Sequence, residues 1–551
     1  METPNVFGTE GNMDKLEGYY FSALFSGCFL LSSVLFSKVT REQRDPYMDE
    51  IFHIPQAQQY CQGRFHQGKH RVTKRGPALS NPIFTLVTSE DIAESASHTP
   101  IQRCQREISD QNKVLIIPQR PTISQQGPDR WSLSRITISW DPMITTLPGL
   151  YLTSVGIVKP AAWLFGWSGS VVCSSGMLRF INLLFSLGNL YMFYLILCRI
   201  HTKVPASRRI LCTLTLYLFP TLYFFTFLYY TDPGSTFFVL FTYIMCLYGN
   251  HKSAALLGFC ALCFRQTNII WIAFCAGNII AEKVMEAWRT QLKKNDEKPS
   301  SKKSSLETVE AFKFLLHYLL SPQNVLTLVL LTWPYILLVL CFLGFMVVNG
   351  GIVVGDRSNH EACLHFPQLF YFFSFTLVFS FPIFTSIHKI TAFVKSVCRH
   401  PLLYGSLACI SVFLIWRFTY VHQYLLADNR HYPFYVWKNI FQRHELVKYA
   451  LVPGYLFAGW SFVDALKNKS ALWLLMFFVC VLFATVPQKL MEFRYFILPY
   501  LLFRLNTSIP STRKLLLELA LYVIVNIVTF YLFLNKAFHW PDSEETQRFM
   551  W

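Results

Sequence analysis

Long apolar runs dominate the chain. Blocks rich in Leu, Phe, Ile, Val and Tyr occupy residues 19–36, 178–197, 210–228, 235–247, 253–264, 269–281, 325–348, 369–387, 402–416, 449–463, 472–486, 496–505 and 515–534, with weaker ones at 150–167 and 432–441. A helix of about 20 apolar residues crosses the roughly 30 Å hydrocarbon layer of a bilayer, so the longer blocks predict transmembrane helices. Only helices or closed barrels satisfy the backbone in lipid, and the pattern predicts an all-α polytopic membrane protein of about eleven to fourteen spans. Residues 1–551 then form a single polytopic domain, with 39–177 as its first large loop. Within that loop, 68–139 is rich in Ser, Gln, Arg and Pro, shows no helical or strand period, and predicts disorder. The stretch 283–313 reads as a flexible loop between spans. The half-apolar segment from Trp140 to Tyr151, broken by Pro142, Pro148 and Gly149, predicts a segment lying along the membrane interface.

Composition agrees, with 53% hydrophobic and only 15% charged residues. The net charge of +17 would suggest a nucleic-acid partner if it gathered on one soluble face. Instead the cations fall in short connections at 199–209, 283–313, 389–399 and 513–514. The positive-inside tendency puts those connections, the 283–313 loop included, in the cytosol, and the first loop with Asp49 on the luminal side. No nucleic-acid partner is expected. Polar, acidic residues precede the first apolar run and no small-residue cleavage site follows it, so a retained first helix is expected. Most of the 15 cysteines, among them Cys28, Cys198, Cys212, Cys246, Cys275, Cys341 and Cys480, lie inside apolar spans as small hydrophobes, which argues against a disulfide scaffold. Cys260 and Cys263 have redox or zinc spacing but sit in an apolar helix, and no His, Asp or Glu set has metal spacing, so no metal is expected.

The chemistry sits between the spans. Asp49 and Glu50, with His53 nearby, follow the first apolar run at the lip of the bilayer, where an acid or base could reach both lipid and aqueous substrates. Asp49 is also placed to cap a helix beginning near Ile51. Polar islands recur around Asp232, Arg265, Arg357, Arg430 and Arg494. An ionisable group near the bilayer centre costs roughly 2.5–3.5 kcal/mol, so islands at helix ends imply a shared wet cavity, although loop polarity explains any one of them equally well. His53 reads as a hydrogen-bonded structural group. Arg265 and Arg494 read as partners of acids at helix ends or as functional groups. The competing class is a non-enzymatic polytopic accessory protein, for example an ion-channel regulatory subunit. Neither the repeat-like halves of a transporter nor the regularly spaced cations of a voltage sensor are present.

Five segments carry a resemblance: Asp49 to Gln58, Trp140 to Thr146, Phe264 to Trp271, Leu426 to Tyr432 and Phe493 to Tyr500. They resemble the polytopic endoplasmic-reticulum glycosyltransferases of the GT-C type, which use dolichyl-phosphate sugars, at the branch that transfers glucose in alpha-1,2 linkage. The likeness covers nearly the whole chain except 68–139, an insertion of about 72 residues relative to the family's pattern. The resemblance implies a GT-C type bundle with luminal interfacial helices in the endoplasmic-reticulum membrane. It also implies transfer of glucose from dolichyl-phosphate-glucose to a diglucosylated dolichol-diphosphate-linked oligosaccharide, with inversion, in N-glycan assembly. The donor is a substrate and no cofactor is implied. An inverting displacement needs one carboxylate to take the acceptor proton and cations to stabilise the departing phosphate. On that reading Asp49 is the candidate base, with Glu50 second, and Asp141 positions the acceptor or its loop. Arg357, His360, Arg430, His431 and Arg494 are the candidate phosphate partners, because guanidinium groups grip phosphate oxygens in a fork.

Overall fold

The computed structural model describes residues 15–63, 140–167, 169, 171–295, 313–355, 357, 362–541 and 545–551. Helices account for nearly all regular structure, as the apolar periodicity requires. Among the described residues six helices are long and apolar enough to cross a bilayer: Leu16–Glu42, Ser175–Ile200, Gln266–Lys293, Pro322–Asn349, Pro401–Phe418 and Thr512–Asn535. Shorter apolar helices at Gly149–Phe165, His251–Phe264, Pro367–Phe379 and Ala471–Thr485 pack among or beside them. Outward faces remain apolar, with Trp163, Val347, Val348 and Leu402 each more than 80% exposed, which suits contact with lipid rather than water.

Several apolar runs are broken inside the protein rather than continuous. Pro220 divides the run at 210–228 into helices Ala206–Tyr217 and Pro220–Phe225, and Pro382 ends Pro367–Phe379 early, because proline has no N–H and clashes with the preceding turn. Such breaks free carbonyls that lipid cannot solvate, and at three of them asparagine side chains satisfy carbonyls. Asn526 Nδ2 donates to the Leu218 carbonyl at 2.7 Å. Asn182 Nδ2 donates to the carbonyls of Leu228 and Tyr230 at 2.6 and 2.7 Å. Asn268 Nδ2 donates to the Ala261 carbonyl at 2.7 Å, beside the break at Arg265. The breaks at Tyr230 and Arg265 place polar residues at one end of the bundle, where the first helix also delivers Asp49.

Three expectations are revised. The start of the supposed 283–313 loop is helical, since Ile269–Asn295 runs on past the apolar stretch, helped by the Lys283–Glu286 pair at 2.8 Å. The cationic connection at 389–399 is the amphipathic helix Ile387–Arg399, with Ile387, Ile390 and Val394 exposed on one face. The doubtful span at 432–441 is a short helix, Tyr432–Val436, followed by a π-helical turn, Trp437–Phe441, too short to cross. Residues 68–139 lie outside the described residues. Their described flanks meet: Trp140 and Tyr60 both pack on Tyr151, with ring centroids 6.0 and 5.7 Å away. The argument against disulfides fails at the first loop, where Cys61 and Cys173 are bonded, and at Cys363, which is also disulfide-bonded.

Beyond Thr512–Asn535 the chain turns back as a two-strand ladder, Phe538–His539 against Thr546–Gln547. Its last residues then lie beside Arg430, with the Met550 N–H donating to the Arg430 carbonyl at 2.9 Å and the Tyr432 N–H to the Met550 carbonyl at 3.1 Å.

Candidate active site

Between the first long helix and helix Glu50–Cys61 the chain makes a tight turn containing Pro46 and Met48. Met48 has φ of +56°, a left-handed conformation that costs a non-glycine residue on the order of 1–3 kcal/mol and persists only where its surroundings enforce it. That turn sends the two adjacent carboxylates in opposite directions.

Glu50 points inward and is fully buried. Its carboxylate accepts from Arg179 Nε and Nη2 at 2.8 and 2.6 Å, from the Tyr229 N–H at 2.6 Å and from the Tyr47 N–H at 3.0 Å. Every lone pair is committed and no solvent reaches the group, so the expectation of Glu50 as a second candidate base is corrected: it anchors the turn. Asp49 has helical backbone angles and makes no side-chain cap bond, so the capping reading of this residue also falls. Its carboxylate instead faces a cavity of about 430 Å³ and accepts from Arg494 Nη1 at 3.0 Å. The side chain is hemmed in by protein, yet 41% of its surface is open to the cavity.

Four of the five polar islands converge on this cavity or directly behind it. Arg494 is the hinge of the arrangement, because its Nε is paired with Glu492, its Nη1 reaches Asp49, and the Oδ2 of buried Asp232 lies 3.8 Å from the same nitrogen. The rings of Phe225 and Tyr230 lie 5.4 and 5.2 Å from the guanidinium carbon and hold its plane. Asp232 Oδ1 is paired with Arg265. Asp49, Arg494, Asp232 and Arg265 thus form a row of alternating charge, with both guanidinium groups lining the cavity. On another wall, Arg430 is bidentate to Asp428 at 2.8 and 2.7 Å and lies 4.6 Å from the Trp540 ring. His431 Nδ1 is 3.0 Å from the Trp551 carbonyl oxygen, and its Nε2 is 3.8 Å from Asp428.

Burial alone would push the Asp49 carboxyl up, but the charge of Arg494, which also donates to it, outweighs burial and holds the group below the ordinary carboxylate value. Asp428 is likewise held low, where burial is outweighed by its bonds from Arg430. Burial lowers His53 despite the nearby Asp49 charge, so its imidazole is neutral near pH 7. Its Nδ1 is hydrogen-bonded with the Tyr151 hydroxyl at 2.5 Å, as a structural histidine would be. A carboxylate kept ionised and open, facing several fixed cations, can accept a proton from a hydroxyl while those cations hold a phosphate. Among the described residues no group of three or more His, Cys, Asp or Glu side chains is placed to hold a metal ion.

Asp141 is not in the cavity lining, but its Oδ1 accepts from the Met143 N–H at 2.9 Å, and its N–H donates to Gln56 Oε1 at 3.3 Å. It therefore holds the loop whose residues 143–146 form one wall. Arg357 does not join the site. Its Nε and Nη1 donate to the carbonyls of Val353 and Gly350 at 3.3 and 3.1 Å, and its Nη2 to Asn349, so it caps the C-terminal end of helix Pro322–Asn349. The expectation of a phosphate contact there is corrected, and Arg357→Ala should leave turnover within about twofold while loosening that helix end by about 1 kcal/mol. A larger fall in turnover, measured per folded molecule, would contradict the assignment. His360 lies outside the described residues. Sequence reasoning left out Asp232 and Glu492, and it left Arg265 undecided. Their islands were visible, but which acid meets which arginine is decided by helix packing.

The DIE2/ALG10 family matches residues 43–106 and 135–505. A protein of Homo sapiens named Dol-P-Glc:Glc(2)Man(9)GlcNAc(2)-PP-Dol alpha-1,2-glucosyltransferase is 54% identical over 543 residues, covering 98% of this chain and 100% of its own length. The Rattus norvegicus protein of the same name is 55% identical over 544 residues, with 98% and 100% covered. An Arabidopsis thaliana protein, again so named, is 29% identical over 555 residues, covering 92% of this chain and 95% of its own. No solved structure matches the chain.

Proposed function

The chain belongs to the DIE2/ALG10 family, and on that premise we propose how its cavity carries out the family's reaction. It is an alpha-1,2-glucosyltransferase acting on the Glc(2)Man(9)GlcNAc(2)-PP-Dol intermediate of N-glycan assembly. The single observation that carries the proposal is the pairing of an open, ionised Asp49 with Arg494 in a cavity walled by further cations.

The donor is dolichyl-phosphate-glucose, whose beta-linked phosphate enters beside Arg494 and Arg265, with Arg430 and His431 opposite. The acceptor's 2-hydroxyl lies against Asp49. Its oxygen attacks the anomeric carbon from the face away from the phosphate, the carbon–oxygen bond to phosphate breaks, and the electron pair leaves with dolichyl phosphate. Asp49 takes the hydroxyl proton, and the new linkage is alpha. Phosphate is already a good leaving group, so the guanidinium groups need only to stabilise its charge, which preorganised donors in a partly dry site do well. A membrane-lip location suits two substrates that both carry dolichol tails.

The site faces the endoplasmic-reticulum lumen on this reading. Support comes from the Cys61–Cys173 disulfide at the far end of the helix that begins beside Asp49, a bond that forms and persists in oxidising compartments, and from the cationic helix ends elsewhere. The described flanks of 68–139 are joined through Tyr151 and through the Gln56–Asp141 bond, which supports the reading that glucose transfer does not need that segment.

The test supplies the full chain to cells lacking the endogenous activity and analyses their lipid-linked oligosaccharides. Triglucosylated precursor should appear at the expense of the diglucosylated one, and a form without 68–139 should perform at least as well. Persistence of the diglucosylated species with both forms present in the membrane would refute the proposal.

A further inference from the structure

The turn that carries Asp49 is gripped from two sides. From within the bundle, Arg179 holds Glu50, the Gln43 carbonyl, and the Asp45 carbonyl at 3.0 Å. From outside, the last residues of the chain hold the other face. Arg548, only 8% exposed, donates through Nε to Gln43 Oε1 at 2.8 Å, through Nη2 to the Glu42 carbonyl at 3.2 Å, and through Nη1 to the Phe533 and Leu534 carbonyls at 2.7 and 3.1 Å. Its backbone makes a reciprocal pair with Tyr47: the Tyr47 hydroxyl donates to the Arg548 carbonyl at 2.6 Å and accepts from the Arg548 N–H at 2.8 Å. One side chain thus ties together the C-terminal ends of helices Lys15–Glu42 and Thr512–Asn535, and one backbone unit pins the residue two positions before Asp49.

Between the two grips stands Met48 in its left-handed conformation. Such a residue relaxes unless its neighbours are held, and relaxation at Met48 would swing the adjacent Asp49 carboxylate away from Arg494. We propose that Arg548, with Tyr47, is a positioning device for the reaction: the C-terminal residues lock the Asp49 turn in its working geometry without touching either substrate. Neither residue lines the cavity. The same segment steadies the phosphate wall, since Gln547 Oε1 accepts from Arg430 Nη1 at 3.0 Å. The tail therefore joins the two halves of the site.

This inference rests on Asp49 being the base, and the experiment separates the two. Full-length chain in proteoliposomes is assayed with dolichyl-phosphate-glucose and diglucosylated acceptor, for wild type, Arg548→Met, Arg548→Lys and Tyr47→Phe. Misplacing a reacting group by about 1 Å can cost on the order of 100-fold, so Arg548→Met should lower kcat by roughly 10- to 100-fold per folded molecule while each KM stays within about threefold. Arg548→Lys should recover part of kcat, because an ammonium reaches some of the same carbonyls. Tyr47→Phe should lower kcat in the same way, and combining it with Arg548→Met should cost less than the product of the two. An unchanged kcat, a change confined to KM, or independent multiplication of the two losses would overturn the inference. If Arg548→Met fails to accumulate, Tyr47→Phe, which keeps the arginine, decides alone. An active Asp49→Asn would remove the underlying reading, whereas an inactive Asp49→Asn beside a normal Tyr47→Phe and a normal Arg548→Met would remove only this one.

Discussion

Asp49→Asn should abolish glucose transfer while the protein stays folded in the membrane, with diglucosylated precursor accumulating. The substitution removes the proton acceptor at almost constant volume, and Asn Oδ1 can still accept from Arg494, so the fold has little to lose. A positioned general base is worth typically 10²–10⁴-fold, and turnover should fall by about that factor with little change in KM. The pH dependence has a definite sign. The working form is the ionised one, and Arg494 helps to hold the carboxyl below its ordinary value of 3.8, so activity persists as pH falls until that depressed value is reached. Removing the guanidinium with Arg494→Met lets burial dominate, the carboxyl's pKa rises, and the acid limb of kcat moves to higher pH. Near-normal turnover by Asp49→Asn, or an acid limb that ignores Arg494, would show that another group takes the proton.

Glu50→Gln should do the reverse, leaving the proton acceptor in place and weakening the fold. The Glu50–Arg179 pair has no exposed surface on either side chain, and removing one charge leaves the other buried without compensation, a change that costs about 3–5 kcal/mol. Thermal inactivation of the variant in membranes should shift strongly downward, while kcat per folded molecule should fall less than with Asp49→Asn, because Asp49 keeps its carboxylate and the Arg179 bonds to the Gln43 and Asp45 carbonyls still hold the turn. Two adjacent carboxylates thus give opposite signatures, and a Glu50→Gln protein that is stable but dead would exchange their assignments.

The membrane class and the helical spans were legible because a bilayer imposes one strong requirement, apolar length, which the chain meets in block after block. The island residues Arg430, His431 and Arg494 were legible too, since charge at a helix end near lipid is costly unless used. What stayed hidden depends on helix rotation and on distant segments. Asp49 and Glu50 differ by one position, and only the left-handed Met48 and the location of Arg179 decide which one faces the cavity. Arg357 looked like its fellow cations but is taken by the end of its own preceding helix. The grip of Arg548 on Glu42 and Gln43 spans almost the full chain length, beyond any local signal. Cys61 and Cys173 were passed over because most of the cysteines lie inside apolar spans.

The bond between Cys61 and Cys173 bridges a sequence separation of 112 and encloses the whole connection from Gly63 to Trp140. The far end of the helix that begins beside Asp49 is therefore tied covalently to the residues just before helix Ser175–Ile200, and not through the peptide path alone. Between two points already fixed, closure entropy grows only with the logarithm of the chain length between them. A change of length between Gly63 and Trp140 therefore leaves the spacing of Cys61 and Cys173 to the bond that joins them.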